Sequence, residues 1–342
     1  MSTNSEMQQK LEQFRRDFKA LQLEIGKRIV GQKDVVEAAL GALVVGGHVL
    51  LEGLPGMGKT QLVRSLAEVV ELTFQRIQCT PDLMPADVIG TYVVMETPQG
   101  RRTFEFQRGP LFANIVLADQ INRTTPKTQS ALLEAMDEKS ITVSTETFPL
   151  PEPYFVIATQ NPLEMEGTYP LPEAQIDRFL FKLLVRPPDC DEIEQILDRT
   201  TEAGPPKIRA VADGRRIIEM GQLVRQIPIG HKVRRWGISL VAATQPDNER
   251  APEMVRRFVR FGSSPRGAQA LVLAAKVRAI LDGRDQVSCA DLRGACHAAL
   301  RHRLILNFEG QAENIQPDDV IDSILQAIPE PTTTTEALPG EA

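Results

Sequence analysis

The chain has 342 residues, a net charge of −6, 25% charged and 42% apolar residues. This is an ordinary soluble composition, long enough for two domains with separate cores. The acidic balance opposes a surface built for nucleic acid or anionic lipid, and the longest apolar run, Ala38 to Leu51, is too short to span a bilayer.

The opening Met1-Ser2-Thr3-Asn4-Ser5-Glu6 is polar and lacks the apolar core of a secretory signal, so a cytoplasmic location is expected. Leu11, Phe14, Phe18, Leu21 and Ile25 recur at helical spacing and predict a helix before the turn around Gly26 and Gly31. Ala38 to Leu51 reads as a helix end followed by a first core strand, Val49-Leu50-Leu51. Next comes Gly53-Leu54-Pro55-Gly56-Met57-Gly58-Lys59-Thr60, and after it Leu62, Val63, Leu66, Val69 and Val70 share one face of a helix. Strand, glycine loop and helix in this order separate a phosphate-binding loop from a chance match to its pattern. Gly56 and Gly58 let successive N–H groups curl toward phosphate oxygens, and the helix opening at Lys59 adds its positive end. Lys59 is expected on the β- and γ-phosphates and the Thr60 hydroxyl on Mg²⁺. The expected nucleotide contacts are therefore Gly53, Pro55, Gly56, Met57, Gly58, Lys59, Thr60 and Gln61.

From Val49 to about Val185 strands and helices alternate, which predicts an α/β fold with a parallel sheet wrapped by helices. Ile115-Val116-Leu117-Ala118 and Phe155-Val156-Ile157-Ala158 are continuous apolar runs, as in strands buried on both faces. Asp119 directly follows the first run, placed to hold Mg²⁺ through its water shell. Thr125-Pro126 supplies an N-cap and an N1 proline for a helix between the two strands. A hairpin is expected over Gly90 to Gly109, turning at Pro98-Gln99-Gly100, and Ser140 to Phe148 reads as the first arm of another. Arg186-Pro187-Pro188 marks a break. It divides a core over residues 1–187 from a region at 188–328 with only helical periodicity, followed by a low-complexity tail at 329–342 expected to be disordered. Cys79, Cys190, Cys289 and Cys296 form no C-x-x-C pair, so free buried thiols are expected rather than disulfides or zinc. The clusters Arg256-Arg257 with Arg260, and Arg301-His302-Arg303, read as solvated faces or subunit contacts, and Trp236 as core.

Longer motifs surround these positions. Leu117 to Arg123, Lys127 to Met136, Ala158 to Pro162, Glu166 to Gln175 and Asp177-Arg178-Phe179 together resemble the MoxR group of AAA+ ATPases. The resemblance runs from about Ile29 into the helical region. It implies a P-loop NTPase core with an all-α lid, using ATP and Mg²⁺. It also implies that Val30 and Gly31 lie against the adenine and that the two hairpins are the family's inserts. On the same basis Asn161 would be the sensor facing the γ-phosphate or attacking water. Arg178 would be an arginine finger on the neighbouring subunit's nucleotide, and Arg266 a second sensor at the start of a lid helix. Plainer readings stand beside these: a turn before Pro162 for Asn161, a surface ion pair for Arg178, a helix start for Arg266. Arg123 fits a contact across subunits and a helix-start ion pair equally well.

One position departs from the family. Gln120 stands where the family carries Glu, the group that polarises the attacking water. A carboxamide can orient water but cannot take its proton, so tight ATP binding with slow turnover is expected. The implied function is a ring-forming, hexameric, chaperone-like remodelling ATPase acting on protein clients, with von Willebrand factor A domain proteins as family partners. A nucleotide-gated assembly scaffold with negligible hydrolysis is the alternative that Gln120 favours. A nucleic-acid motor is a third reading, opposed by the acidic balance.

Overall fold

The computed structural model describes residues 2–96, 102–162, 167–202 and 206–331. The expected hairpin turn at Pro98-Gln99-Gly100, Glu166 of the family motif and the tail from residue 332 onward lie outside the described residues. Helix α1 (Ser2–Gly26) buries Leu11, Phe14, Phe18, Leu21 and Ile25, the stripe predicted by their spacing. Then follow α2 (Lys33–Val45), β1 (Val49–Glu52), α3 (Lys59–Val69), β2 (Phe74–Gln78), α4 (Pro85–Ile89) and the strands β3 (Gly90–Glu96) and β4 (Arg102–Arg108). β5 (Ile115–Asp119), α5 (Pro126–Glu138), β6 (Ser140–Val143), β7 (Glu146–Pro149), β8 (Phe155–Gln160), α6 (Glu173–Ile176) and β9 (Phe181–Leu184) complete the sheet region.

Five of these strands form one parallel sheet in the order β2-β5-β8-β1-β9. Ile115 to Ala118 and Phe155 to Ala158 are buried without exception, because helices cover both faces of the central strands. Side chains alternate between those faces. Leu50, Val116, Ala118, Val156 and Ala158 accordingly pack in one cluster with Leu132, Leu133 and Met136 of α5. Leu51 is level with Thr159, and Ala118 with Ala158, so β1, β8 and β5 end side by side. A crevice at the carboxyl ends of parallel strands is where such sheets bind ligands.

His48 pins the opposite end of these strands. Its Nδ1 accepts from the Val156 N–H at 3.0 Å while its Nε2 lies 3.1 Å from the Met136 carbonyl. The pair of contacts fixes a neutral imidazole with the proton on Nε2. Burial pushes its pKa down to about 4. One side chain thus ties the β1 approach, β8 and the end of α5 together.

The Gly90–Arg108 hairpin forms as expected, with Thr91 opposite Gln107 and Val94 opposite Phe104. The second hairpin differs from its prediction. Both arms, β6 and β7, lie within Ser140–Pro149, with Val143 opposite Glu146. Ser144 adopts positive φ and turns the chain where Thr145 would otherwise continue the alternation. Phe106 stacks on Phe148 at 4.6 Å and the Tyr92 hydroxyl donates to Glu146 at 2.7 Å, which joins the two hairpins.

The chain forms two compact units, one running through Gln226 together with Ile280–Asp285, the other comprising Ile227–Ala279 and the residues from Gln286. The division falls at Gln226–Ile227 rather than at Pro187-Pro188, which links β9 to α7 (Cys190–Leu197) inside the first unit. The cause is α8 (Gly214–Gln226), whose Gly221 backs so closely onto α2 that a Cβ would stand 2.3 Å from the Val44 carbonyl oxygen. The second unit holds α9 (His231–Ala242), α10 (Glu253–Phe258), α11 (Pro265–Leu281), α12 (Cys289–Leu300), α13 (Phe308–Ala312) and α14 (Pro317–Ala327). α11 runs on into the stretch at Ile280 that belongs to the first unit. The second unit also carries an antiparallel pair, β10 (Val259–Phe261) with β11 (Ile305–Leu306), too short to show as a strand pattern in the sequence. Trp236 is core, its indole N–H donating to the Ile328 carbonyl at 3.2 Å.

In the basic clusters, Arg257 is ion-paired with Glu309 and Glu313, and Arg301 with Asp318. Arg303, expected on a solvated face, is instead buried and donates to the Ala299 carbonyl. All four cysteines are free, and burial pushes the Cys79 and Cys296 thiols up to about 12, whereas Cys190 is exposed. Among the described residues no helix is long and apolar enough to cross a membrane.

Candidate nucleotide site

The glycine loop leaves the end of β1 and enters α3. Gly56 and Gly58 take φ of +81° and +72°, the left-handed region where a side chain is strained. No atom lies within 4 Å of where a Cβ on either would stand, so backbone conformation, not crowding, requires glycine there. Both glycines thus face open space on the loop. The Lys59 ammonium folds back over it and donates to the carbonyls of Gly53 and Leu54, the latter at 2.9 Å. Gly53 begins the loop with its N–H on the Gln160 carbonyl of β8, at 3.3 Å. Thr60 and Gln61 occupy the first turn of α3 and are half-buried, while Pro55 is exposed. Val30 and Gly31 precede α2, and Gln32 donates from Nε2 to the Met57 carbonyl at 3.5 Å, which sets that segment beside the loop. A side chain on Gly31 would collide with the Glu192 carboxylate, itself clamped by both terminal nitrogens of Arg186 at 2.8 and 2.6 Å.

Two strands away, Asp119 ends β5. Its Oδ1 accepts from the Thr159 hydroxyl at 2.7 Å, and that hydroxyl accepts from the Gln120 N–H at 2.8 Å. Its Oδ2 accepts from Arg76 through Nε at 3.0 Å and Nη2 at 2.6 Å. Gln120 holds positive φ, 59°, at the sharp turn leaving the strand, and its Oε1 accepts from Arg123 Nη1 at 3.3 Å. Asn161 is buried one residue beyond β8. The glycine loop at positive φ, the lysine and a carboxylate at the same end of the sheet fit a triphosphate carrying Mg²⁺. Lys59 and the loop N–H groups would meet phosphate oxygens, with Thr60 and Asp119 toward the metal, whose role is to neutralise phosphate charge.

The AAA family described as ATPases associated with various cellular activities matches residues 48–181, and an AAA lid domain matches residues 252–324. A Mycobacterium tuberculosis protein named Chaperone MoxR1 is 42% identical over 305 residues, covering 89% of this chain and 80% of its own. Protein MoxR of Methylorubrum extorquens is 31% identical over 330 residues, covering 90% of this chain and 93% of its own. A crystal structure from Cytophaga hutchinsonii superposes with a TM-score of 0.89 at 37% identity, over 97% of this chain and all of that one. The chain belongs to the MoxR family of AAA+ ATPases.

In this MoxR-type chain the two arginines expected to face nucleotide lie in different units. Arg178 follows α6 in the first, where its Nη1 donates to the Leu133 carbonyl at 2.7 Å and its Nε pairs with Asp137 at 3.2 Å, both on α5. Arg266 is the second residue of α11, exposed, its N–H on the Ser264 hydroxyl at 3.1 Å. The structure gives roles to residues to which the motifs assigned none. Thr159 lies inside an apolar strand and reads there as a β-former. Arg76 belongs to Phe74-Gln75-Arg76-Ile77-Gln78, where it shares a strand face with Gln78, the residue opposite Asp119 in the β2–β5 ladder, a placement that depends on the register between strands. Gln129 is fully buried and donates to the carbonyls of Ile121, Thr124 and Tyr169, which locks the turn behind Gln120.

Proposed function

We propose that this MoxR-type ATPase binds ATP with Mg²⁺, assembles head-to-tail into a hexameric ring in the cytoplasm, and remodels or matures partner proteins. Von Willebrand factor A domain proteins are the partner class the family points to, and neither membrane insertion nor nucleic acid is part of this reading. The observation that supports it is the glycine loop, with Gly56 and Gly58 at positive φ and Lys59 folded onto it, two strands from the neutral carboxamide of Gln120. Gly53 to Gln61 would hold phosphates, Val30 and Gly31 the adenine, and Asn161 and Arg266 the γ-phosphate end. Arg178 would exchange its Asp137 pair for the γ-phosphate of a neighbouring subunit, and head-to-tail contacts of that kind close into rings. Gln120 would orient water without accepting its proton, which slows hydrolysis. The chaperone-like role is supported by the name of the Mycobacterium tuberculosis relative.

The scaffold reading draws on a specific feature, the hydrogen bond from Arg123 that occupies the Gln120 carboxamide oxygen. Sedimentation of the chain with Mg·ATP, Mg·ADP and no nucleotide tests the assembly. A ring-sized species that forms with Mg·ATP and is weakened by Arg178→Ala is expected. A chain that stays monomeric with saturating Mg·ATP contradicts the proposal.

A further inference from the structure

Asp119 is held on both carboxylate oxygens, and the charged partner comes from outside the motifs. Arg76 stands on the edge strand β2, opposite Leu117, while Gln78 stands opposite Asp119. Its guanidinium therefore reaches forward along the ladder to put Nε and Nη2 on Asp119 Oδ2, and Gln78 Oε1 accepts from the same Nη2. The Arg76 side chain is 45% exposed, that of Asp119 13%. Thr159 takes the other oxygen. A carboxylate paired this way already has a fixed rotamer, and its charge is largely offset by a permanent cation.

We propose that Arg76 is a positioning residue that shares Asp119 with the metal. It holds the carboxylate where the waters of Mg²⁺ will meet it. By its positive charge it also lowers the site's attraction for free Mg²⁺, so that the metal enters with the triphosphate. This rests on the ATP–Mg²⁺ reading of the site. A purely structural role, stapling the edge strand to β5, would affect stability and leave metal dependence unchanged.

The test is an equilibrium titration of Mg²⁺ into the full chain with a fluorescent N-methylanthraniloyl ATP, for the parent, Arg76→Gln and Arg76→Lys. Affinity for the analogue in EDTA and thermal unfolding are recorded for each. Removing one unit charge near a divalent ion in a water-like dielectric should lower the half-saturating Mg²⁺ concentration of Arg76→Gln by roughly three- to tenfold. Arg76→Lys, which keeps the charge and loses the fork, should stay near the parent value. An Arg76→Gln half-saturation equal to or above the parent's, in a folded protein that still binds the analogue, overturns the role of Arg76. A parent chain that binds no nucleotide removes the reading of the site, and the inference with it.

Discussion

The two halves of the nucleotide site are built in opposite ways. The loop from Gly53 to Gly58 takes its conformation from Gly56 and Gly58, which face open space, while Gly53 is packed against Val185 and Lys59 folds onto the loop's own carbonyls. The turn at Asp119–Arg123 is closed. Asp119, Gln120 and the turn behind them are already bonded to Arg76, Thr159, Arg123 and Gln129. An open backbone cradle can wrap phosphates as they arrive, whereas a pre-bonded turn keeps its groups fixed and pre-empts their rearrangement. The contrast fits a protein whose nucleotide affinity and turnover are set by separate parts.

The sharpest way to break the comparison is at the loop. Lys59→Ala should weaken ATP binding by at least about tenfold, the scale of a lost charge-assisted hydrogen bond, and leave the fold intact. Titration with a fluorescent nucleotide reads the first and thermal unfolding the second. Unaltered affinity would mean that the cradle does not hold the phosphates.

A smaller effect concerns the scaffold beneath both halves. His48 is neutral in the fold, its pKa lowered from 6.5 to about 4 by burial. The unfolded chain therefore takes up the proton first as pH falls. The stability due to neutral His48 is fully present above pH 6.5, declines from there and is lost on passing below about 4. The full loss is on the order of 3 kcal/mol. Urea midpoints between pH 7 and 5 should drop less for His48→Gln, measured against its own pH 7 value, than for the parent. Equal drops would show that His48 does not govern the acid response.

Much of this site was legible in the sequence because the loop states its chemistry in residue types. Gly56, Gly58 and Lys59 are adjacent along the chain, and the flanking strand and helix follow directly from apolar spacing. The Asp119 turn was only half legible. Asp119 and Gln120 follow an apolar run, but their partners Arg76 and Thr159 come from neighbouring strands, and register across a sheet is not written in one strand. His48 was hidden for the same reason, since its partners, Met136 and Val156, are remote in the chain. The unit boundary moved because Pro187-Pro188 marks only a local break, while the packing of α8 on α2 is tertiary. The second hairpin departs from its predicted single arm at one residue, Ser144, where positive φ ends the alternation of Ile141 and Val143 before Thr145.

On the proposed reading, an ATP-binding loop is paired with a neutral residue at position 120. Steady-state ATP hydrolysis by the parent and by Gln120→Glu, with ATP affinity measured for both, tests it most directly. Turnover at least about tenfold faster is expected for Gln120→Glu at similar affinity, the lower end of what general-base catalysis supplies. Equal turnover in two chains that bind ATP equally well would contradict it.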